Sequence, residues 1–594
     1  MMTHTFHIPV LGLAFSVDTP LKVAQYGISS VMSIVDDELV ERLRAYYSKQ
    51  HNLPYQEIEK YSPDARANRI SAYLNMVKYL VDQQIRHIKR ANWLKDEHAI
   101  QYFRLLPEGE LKQLFNTWLA LNPSKEKDSL TEIIKEQIVP GDIDVNIMSK
   151  VDKINHAKNG EMLPEQFSDA SAALRGFANS DLQSSVILSA GMNPRLYSYL
   201  AEFPAFMPNS AGTFDKKITL KVSDYRSALI QAKFLAKKGI WISEYRIESG
   251  LNCGGHAFAT EGFLLGPILE EFKTNKLNMI QEVLPLYQQA LAEKGITFNE
   301  TPLLKITVQG GVGTNREHQF LMNHYGVDQV GWGSPFLLVP EATTVDEETL
   351  QNLANAEAAD FYISEASPLG VPFNNFRKSS AEINRLQRIE QGKPGFPCTK
   401  KYLVSSNVCG EELICTASRQ YQNLKIKELK AQDLPEPAYQ QAFNKIVEKQ
   451  CLCEGLAAPA YLKYNILKPR ERKAVAICPG PNTAYFKKVY SLREMVDHIY
   501  GRINVLKNVE RPSLFVNELE LYVKHLAAYI NNNMADLDNK KKKYINKFNA
   551  QLLEGISYYR GLQEQLQQAF GESKANFLEQ LNRYELQLKP LVVE

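Results

Sequence analysis

The stretch KKITLKVSDYRSALIQAKFLAKKGIWISEYRI, residues 216–247, has the pattern of a strand, a helix and a second strand. Two apolar runs rich in β-branched residues flank a segment that starts at a serine or aspartate and ends at a glycine, which are typical helix caps. Continuous apolar runs are typical of parallel strands that are buried on both faces. The stretch therefore predicts a parallel βαβ unit.

Apolar runs of this kind recur along the first part of the chain, and helix-like segments lie between many of them. There are eight such runs, at residues 7–13, 28–34, 142–148, 184–191, 216–222, 239–247, 303–311 and 327–333. Eight strands that alternate with helices are the count of a TIM barrel. We therefore predict an α/β fold, a (β/α)8 TIM barrel built from residues 1–36 and 140–345.

Three further regions accompany this barrel. Residues 37–139 predict a helical insertion, either packed on the barrel or serving as a lid or subunit interface. Its clearest signal is an apolar stripe at helical spacing, formed by Ile70, Tyr73, Leu74, Val77, Leu80, Val81, Ile85 and Ile88. Residues 346–485 predict a loop-rich, cysteine-containing extension, in which 364–377 is expected to be an ordered loop near the barrel mouth. Residues 486–594 predict a mostly helical C-terminal region.

Composition narrows the class of protein. The chain has 594 residues, a formal net charge of +2, 44% hydrophobic residues and 23% charged residues. That charge gives no reason to expect a nucleic acid or an anionic membrane as partner. The N-terminus lacks a secretory pattern, and no run approaches 18 uncharged apolar residues. We expect a cytoplasmic protein with reduced thiols.

Glycines follow the last two predicted strands. Gly310 and Gly311 end the seventh run, and Gly333 and Ser334 end the eighth. Active sites of TIM barrels lie at these strand ends, and the loops after strands seven and eight are the usual phosphate site. Glycine lets backbone N–H groups approach a phosphate closely, and a helix N-terminus favours the negative charge. Ordinary strand-to-helix turns are the alternative.

The sixth run leads into the stretch ESGLNCGGHAF, residues 248–258, at the same predicted rim. His256 follows two residues without side chains, which leave space for a flat ligand. Imidazole is the commonest general base near neutral pH. We therefore predict a catalytic or ligand-contacting role for His256, with a structural histidine as the alternative.

Together these strand ends resemble the FMN-dependent TIM-barrel enzymes of the nitronate monooxygenase (2-nitropropane dioxygenase) group. Relatives of this group include flavin enoyl reductases of fatty acid and polyunsaturated fatty acid synthesis. The group's Ala-Gly-Gly-His motif matches Cys253–His256, and its Gly-Gly-Ile and Gly-Thr phosphate turns match residues 310–312 and 333–334. Its first loop matches Phe15–Leu21, its third-strand asparagine matches Asn146, and its fifth-strand lysine matches Lys221.

The resemblance implies FMN as cofactor and His256 as the catalytic residue. Contacts to the flavin ring or ribityl chain are implied for Ala14, Phe15, Ser16, Asn146, Lys221, Gly254 and Gly255. Contacts to the phosphate are implied for Gly310, Gly311, Gly333 and Ser334. The group often has a glutamine and a glutamate before its Gly-Gly-His, whereas this chain has Ser249 and Asn252, so its substrate pocket differs.

Three functions follow as expectations. The first is an FMN-dependent oxidoreductase that oxidises a nitronate or a similar small carbanion-forming substrate. The second is an NAD(P)H-dependent enoyl reductase that acts on acyl thioesters, with an acyl-carrier protein as partner. The third is a non-catalytic scaffold that binds FMN or another phosphate ligand. A homo-oligomer is compatible with each of them.

Six of the seven cysteines fall within one short part of the extension. They are Cys398, Cys409, Cys415, Cys451, Cys453 and Cys478. No Cys-x2-Cys pair occurs among them, so the spacing is not that of a zinc ribbon or a ferredoxin. Free or structural thiols, an iron–sulfur cluster that relays electrons to a flavin, and a zinc site remain as alternatives.

Overall fold

The computed structural model describes residues 3–147, 152–189, 191–254, 262–408, 413–534, 537–570 and 574–591. Eight strands close into one barrel in sequence order, and every neighbouring pair is parallel. They are β1 Phe6–Ile8, β2 Ser29–Ser33, β3 Ile143–Asn146, β4 Ser184–Leu188, β5 Lys216–Val222, β6 Ile242–Glu248, β7 Lys305–Gln309 and β8 Gln329–Gly331. The predicted (β/α)8 barrel is confirmed.

Helices run along the outside of the barrel and fill the interval between β2 and β3. They are α1 Thr19–Val23, α2 Asp37–Gln50, α3 Ala65–Arg90, α4 Glu97–Leu105, α5 Glu110–Ala120, α6 Lys125–Gln137, α7 Asp169–Ala178, α8 Pro194–Leu200, α9 Tyr225–Ala236, α10 Leu265–Glu293 and α11 Asn315–Tyr325. Helix α9 shows why the βαβ prediction succeeded: the Asp224 side chain caps its start by accepting from Ser227 N, and Gly239 follows its end with a φ of 77°.

The apolar stripe of the insertion lies on α3, and all eight of its residues are buried. This face packs against α2 and against α7 of the barrel's helical layer. Arg66 and Arg69, near the start of α3, both pair with Asp37 at the start of α2. The stripe is therefore part of the core rather than an exposed lid face.

The chain after the barrel folds back over the C-terminal ends of the strands. Its elements are α12 Glu347–Ala354, β9 Phe361–Ser364, β10 Phe373–Phe376, α13 Ser380–Glu390, α14 Arg419–Lys430, α15 Glu436–Val447, α16 Leu452–Gly455, α17 Ala458–Lys463, α18 Leu492–Ile499, α19 Leu514–Asn533, α20 Asn539–Gly561, α21 Gln563–Phe570 and α22 Lys574–Leu588. The cysteine-bearing part is thus more regular than its Pro and Gly content suggested, with a two-stranded sheet and several helices. The loop expected at 364–377 contains the hairpin strand β10.

One hydrophobic core runs through the barrel, the insertion and the C-terminal helices. A second, smaller cluster, which includes Phe373, Leu403, Cys453 and Cys478, lies over the barrel mouth. No helix in the described ranges is long and apolar enough to cross a bilayer.

Candidate active site at the barrel mouth

A cavity of about 660 Å³ lies at the C-terminal ends of the barrel strands. Five consecutive strands contribute a residue at or just after their ends: Ser33, Asn146, Ser189, Lys221 and Glu248. The opposite wall, which we call the roof, comes from the chain after the barrel and consists of Leu369, Val371, Phe373, Tyr402, Leu403, Leu452, Cys453, Leu456 and Cys478. The cavity therefore has a polar floor and a mainly apolar roof.

The floor is organised around the carboxylate of Glu248. Lys221 Nζ donates to Glu248 Oε1 at 3.1 Å, Gln309 Nε2 donates to the same oxygen at 2.7 Å, and Asn252 Nδ2 also donates to it. The Glu248 and Lys221 side chains are only 11% and 14% exposed, so solvent screens this ion pair weakly. An ammonium group has three N–H donors, and the bond to Glu248 uses one of them. Lys221 is thus fixed in orientation while it can still donate to a ligand.

A second layer of charge fills the barrel beneath this floor. Glu244, Arg246 and Glu248 alternate along β6, so all three point into the barrel. Arg246 Nη2 lies 2.7 Å from Glu244 and 2.9 Å from Asp144. Burial raises the pKa of Asp144 to about 6 against the attraction of Arg246. Burial also acts to raise the pKa of Glu244, but the Arg246 guanidinium outweighs it and lowers that pKa to about 2.

His7 on β1 belongs to this interior layer. Burial, followed by the charge of Arg246, lowers its pKa to about 3, so its imidazole is neutral at physiological pH. A Cβ placed on Gly331 would lie 2.9 Å from His7 Nε2. The layer is therefore closely packed and serves to support the floor rather than to open into the cavity.

The predicted ring-binding residues fall into two groups. Asn146, Lys221 and Gly254 line the cavity. Ala14, Phe15 and Ser16 do not: all three are fully buried, and Ser16 Oγ accepts from Leu11 N at 2.8 Å. The first loop faces the cavity through Val10, Gly12 and Leu13 instead. Gly255 and His256 lie outside the described residues.

The predicted phosphate turns stand at the expected strand ends but do not face the cavity. Gly310 and Gly311 follow β7 with φ values of 109° and 80°, and Ser334 is 3% exposed. None of Gly310, Gly311, Gly333 and Ser334 is among the cavity-lining residues, because other parts of the chain cover them. Three of the predicted ring contacts thus face the cavity, whereas the predicted phosphate contacts do not.

Among the described residues, four cysteines interact with one another on the roof side of the cavity: Cys398, Cys415, Cys451 and Cys453. The Cys415 thiol donates to Cys398 and lowers the pKa of Cys398 to about 6, and Cys453 lines the cavity. In the described ranges, which exclude Cys409, no three His, Cys, Asp or Glu side chains converge closely enough to hold a metal ion. Cys253 is packed against Cys478 O at 3.8 Å, and burial raises its pKa to about 12.

Sequence reasoning did not single out Glu248 or Gln309, which hold Lys221 and Asn252 in place. The available signal was the alternation of polar residues at Glu244, Arg246 and Glu248 within an otherwise apolar run. A polar residue at every second position marks the inward face of a barrel strand.

Comparisons with known proteins give structural matches only. No protein-family model and no curated protein matches the chain. The fold is similar to that of FabK from Thermotoga maritima, at 13% identity and a TM-score of 0.30, over 69% of this chain and 86% of that chain. It is also similar to the enoyl reductase domain of MlnA from the macrolactin biosynthesis cluster of Bacillus amyloliquefaciens, at 13% identity and a TM-score of 0.31, over 71% and 88% of the two chains. The assignment of the barrel rests on its closed strand order.

Proposed function

We propose that the chain is a flavin-dependent oxidoreductase that holds the flavin ring in the barrel-mouth cavity. One observation carries the proposal: Asn146, Lys221 and Gly254, which the sequence resemblance assigns to the ring, come from three different strand ends and line one cavity. Its volume of about 660 Å³ falls within the range of roughly 300–1,000 Å³ that is usual for ligand sites.

A bound flavin supplies the two-electron chemistry, and the chain supplies binding, orientation and exclusion of water. Lys221 would hold the electron-rich polar edge of the ring, since it has donors to spare and Glu248 fixes its position. Asn146 and Asn252 add amide groups at the same floor. The apolar roof keeps water from the reacting face. His256 keeps its sequence-based role as the group that exchanges a proton with the substrate.

Two substrate classes follow from this arrangement. A nitronate or similar small carbanion-forming molecule needs little more than the ring and a proton-exchanging group. The roof favours the second class, the enoyl thioesters, because the apolar side chains that line it could contact an acyl chain; they include Leu369, Val371, Phe373 and Leu452. In that case NAD(P)H is the electron donor and an acyl-carrier protein is the partner.

The test begins with the purified full-length chain and added flavin. We expect the visible absorbance of a bound flavin, and a protein that takes up no flavin would contradict the proposal. Bleaching under anaerobic conditions by NAD(P)H, followed by recovery of colour on addition of an enoyl thioester, assigns the reductase. Bleaching by an alkyl nitronate without nicotinamide assigns the monooxygenase. If the flavin binds but is bleached by neither NAD(P)H nor the nitronate, the non-catalytic scaffold is the supported function.

The Lys221→Met substitution tests the floor directly. We expect flavin affinity to fall by about tenfold or more, since a charge-assisted hydrogen bond is lost and Glu248 keeps no counter-ion. The matched control is Lys217→Met near the opposite, N-terminal end of the same strand, where the side chain is exposed. The measurement is quenching of flavin fluorescence on titration. Equal affinities for the two variants would remove Lys221 from the site.

A further inference from the structure

The turn after β7 is packed against the chain itself. A Cβ on Gly310 would lie 3.1 Å from Asn252 N, and one on Gly311 would lie 2.5 Å from Leu251 Cδ1. The positive φ values of both residues favour glycine independently. The glycines therefore make room for the loop that follows β6, which packs directly against Gly310 and Gly311.

The carbonyl groups of this turn are bound by the chain that follows the barrel. Arg511 Nη2 donates to Gly311 O, Asn482 Nδ2 donates to Val312 O at 2.9 Å, and His498 Nε2 lies 2.9 Å from Gly313 O. Arg511 Nε also donates to Asn482 Oδ1 at 2.8 Å. Three consecutive carbonyls thus have donors from three separate places in the chain after the barrel, which fixes that part of the chain onto the turn.

The amide groups of the turn are bound by an internal carboxylate. Gly313 N and Thr314 N donate to Glu317 Oε2 at 2.8 and 3.1 Å. Leu514 N and Arg511 Nη1 donate to Glu317 Oε1, each at 2.7 Å. The carboxylate therefore lies where the N-termini of α11 and α19 meet, beside a guanidinium, and the two charged side chains are only 3% and 4% exposed. Backbone amides with an arginine are the usual partners of a phosphate.

The turn after β8 is covered by residues 478–483, which we call the covering segment. A Cβ on Gly480 would lie 2.4 Å from Ser334 Oγ and 3.0 Å from Leu251 O. Gly254 N donates to Cys478 O at 3.2 Å, so the same segment is joined to the loop after β6. A Cβ on Gly333 would lie 3.3 Å from Cys253 Cβ. The covering segment thus separates the turn from the cavity.

We propose that the chain recognises its flavin without a phosphate subsite at these turns, whose place is taken by the covering segment and the Glu317–Arg511 pair. This inference rests on the proposed function, because it concerns the same cavity. It replaces the sequence-based assignment of Gly310, Gly311, Gly333 and Ser334 to a phosphate. Recognition then depends on the ring, through Lys221, Asn146 and the first loop.

The experiment compares FMN with riboflavin, which lacks the phosphate. The full-length chain is stripped of flavin and titrated with each compound at the same ionic strength, with fluorescence quenching as the readout. We expect affinities within about threefold of each other, since the phosphate gains no charge-assisted partner at the turns. FMN binding that is tighter by about thirtyfold or more would overturn the inference and leave the proposed function intact. Binding of neither compound would overturn the proposed function, and the inference with it.

A conservative variant provides an independent test. Ser334→Ala removes a hydroxyl that would face the phosphate in the family arrangement but here lies against Gly480 of the covering segment and hydrogen-bonds to Cys253. We expect the affinities for FMN and riboflavin to change by less than about twofold. If the affinity for FMN fell by about tenfold or more while that for riboflavin was unchanged, Ser334 would contact the phosphate and the inference would be wrong. The melting temperature of the variant shows that it is folded.

Discussion

At the scale of single residues, the floor of the cavity depends on Glu248. Its carboxylate accepts from Lys221, Gln309 and Asn252, which come from three segments. Gln309 Nε2 also donates to Asn252 Oδ1 at 3.3 Å, so these donors form one network around the carboxylate. Glu248 is therefore a positioning residue, since it orients groups that would touch the flavin.

Replacement of Glu248 by glutamine keeps the size of the side chain and removes its charge. We expect flavin affinity to fall by about tenfold, because Lys221 loses its charged partner and the amide donates where the carboxylate accepted. Fluorescence titration measures the loss. The control is Glu300→Gln, an exposed position in the loop before β7. A variant that binds flavin as tightly as the control would contradict this role for Glu248.

At the scale of elements, the covering segment is held by steric fit. Gly480 has an ordinary extended backbone, with φ −67° and ψ 149°, so any residue could adopt its conformation. Only the space around it requires glycine, since a Cβ would approach Ser334 Oγ, Leu251 O and Asn252 O at 2.4, 3.0 and 3.1 Å. A methyl group at this position would require the Ser334 hydroxyl and the neighbouring backbone to shift.

The Gly480→Ala substitution should therefore destabilise the chain by about 1–3 kcal/mol, the usual cost of overpacking a filled site. Gly561→Ala is the matched control, because a Cβ at that position meets no atom within 4 Å and the glycine ends helix α20. Urea denaturation measures both variants. An unchanged free energy of unfolding for Gly480→Ala would mean that the covering segment is not closely packed on the turn.

The elements also show which features the sequence could predict. The eight strands were predictable because each lies in a run rich in apolar and β-branched residues, although most runs are longer than the strands, as with 303–311 against Lys305–Gln309. Lys221 and Asn146 were predictable because they lie at the ends of predicted strands, where the active sites of TIM barrels are found. The covering segment was not, since the contact of Gly480 with Ser334 joins residues far apart in the chain and leaves no local pattern. Glycine turns alone do not distinguish a phosphate site from close packing.

At the scale of the whole molecule, Glu518 ties the C-terminal region to the barrel. This residue of α19 accepts from Ser249 Oγ at 2.6 Å and Gly250 N at 3.2 Å through one oxygen, and from Leu265 N at 2.7 Å through the other. One carboxylate thus joins the segment after β6 to the start of α10. Tyr559 of α20 packs beside it, and its hydroxyl accepts from Gly266 N at 3.1 Å.

This link makes stability depend on pH. Burial raises the pKa of Glu518 from 4.5 to about 7, against the hydrogen bonds from Ser249, Leu265 and Gly250. The folded chain therefore holds a proton that the unfolded chain releases. The resulting stabilisation is fully present below about pH 4.5 and is lost as the pH rises to about 7. A shift of this size corresponds to about 3 kcal/mol.

Glu518→Gln should remove this dependence, because the amide does not titrate. Between pH 5 and pH 8 we expect the stability of the variant, relative to the parent chain, to increase by about 2–3 kcal/mol. Urea denaturation at the two pH values measures the change, and Glu554→Gln on the exposed face of α20 provides the control. The same pH dependence in the parent and in Glu518→Gln would show that this carboxylate titrates as it does in the unfolded chain. In that case, protonation of Glu518 would not affect how strongly the C-terminal helices are held to the barrel.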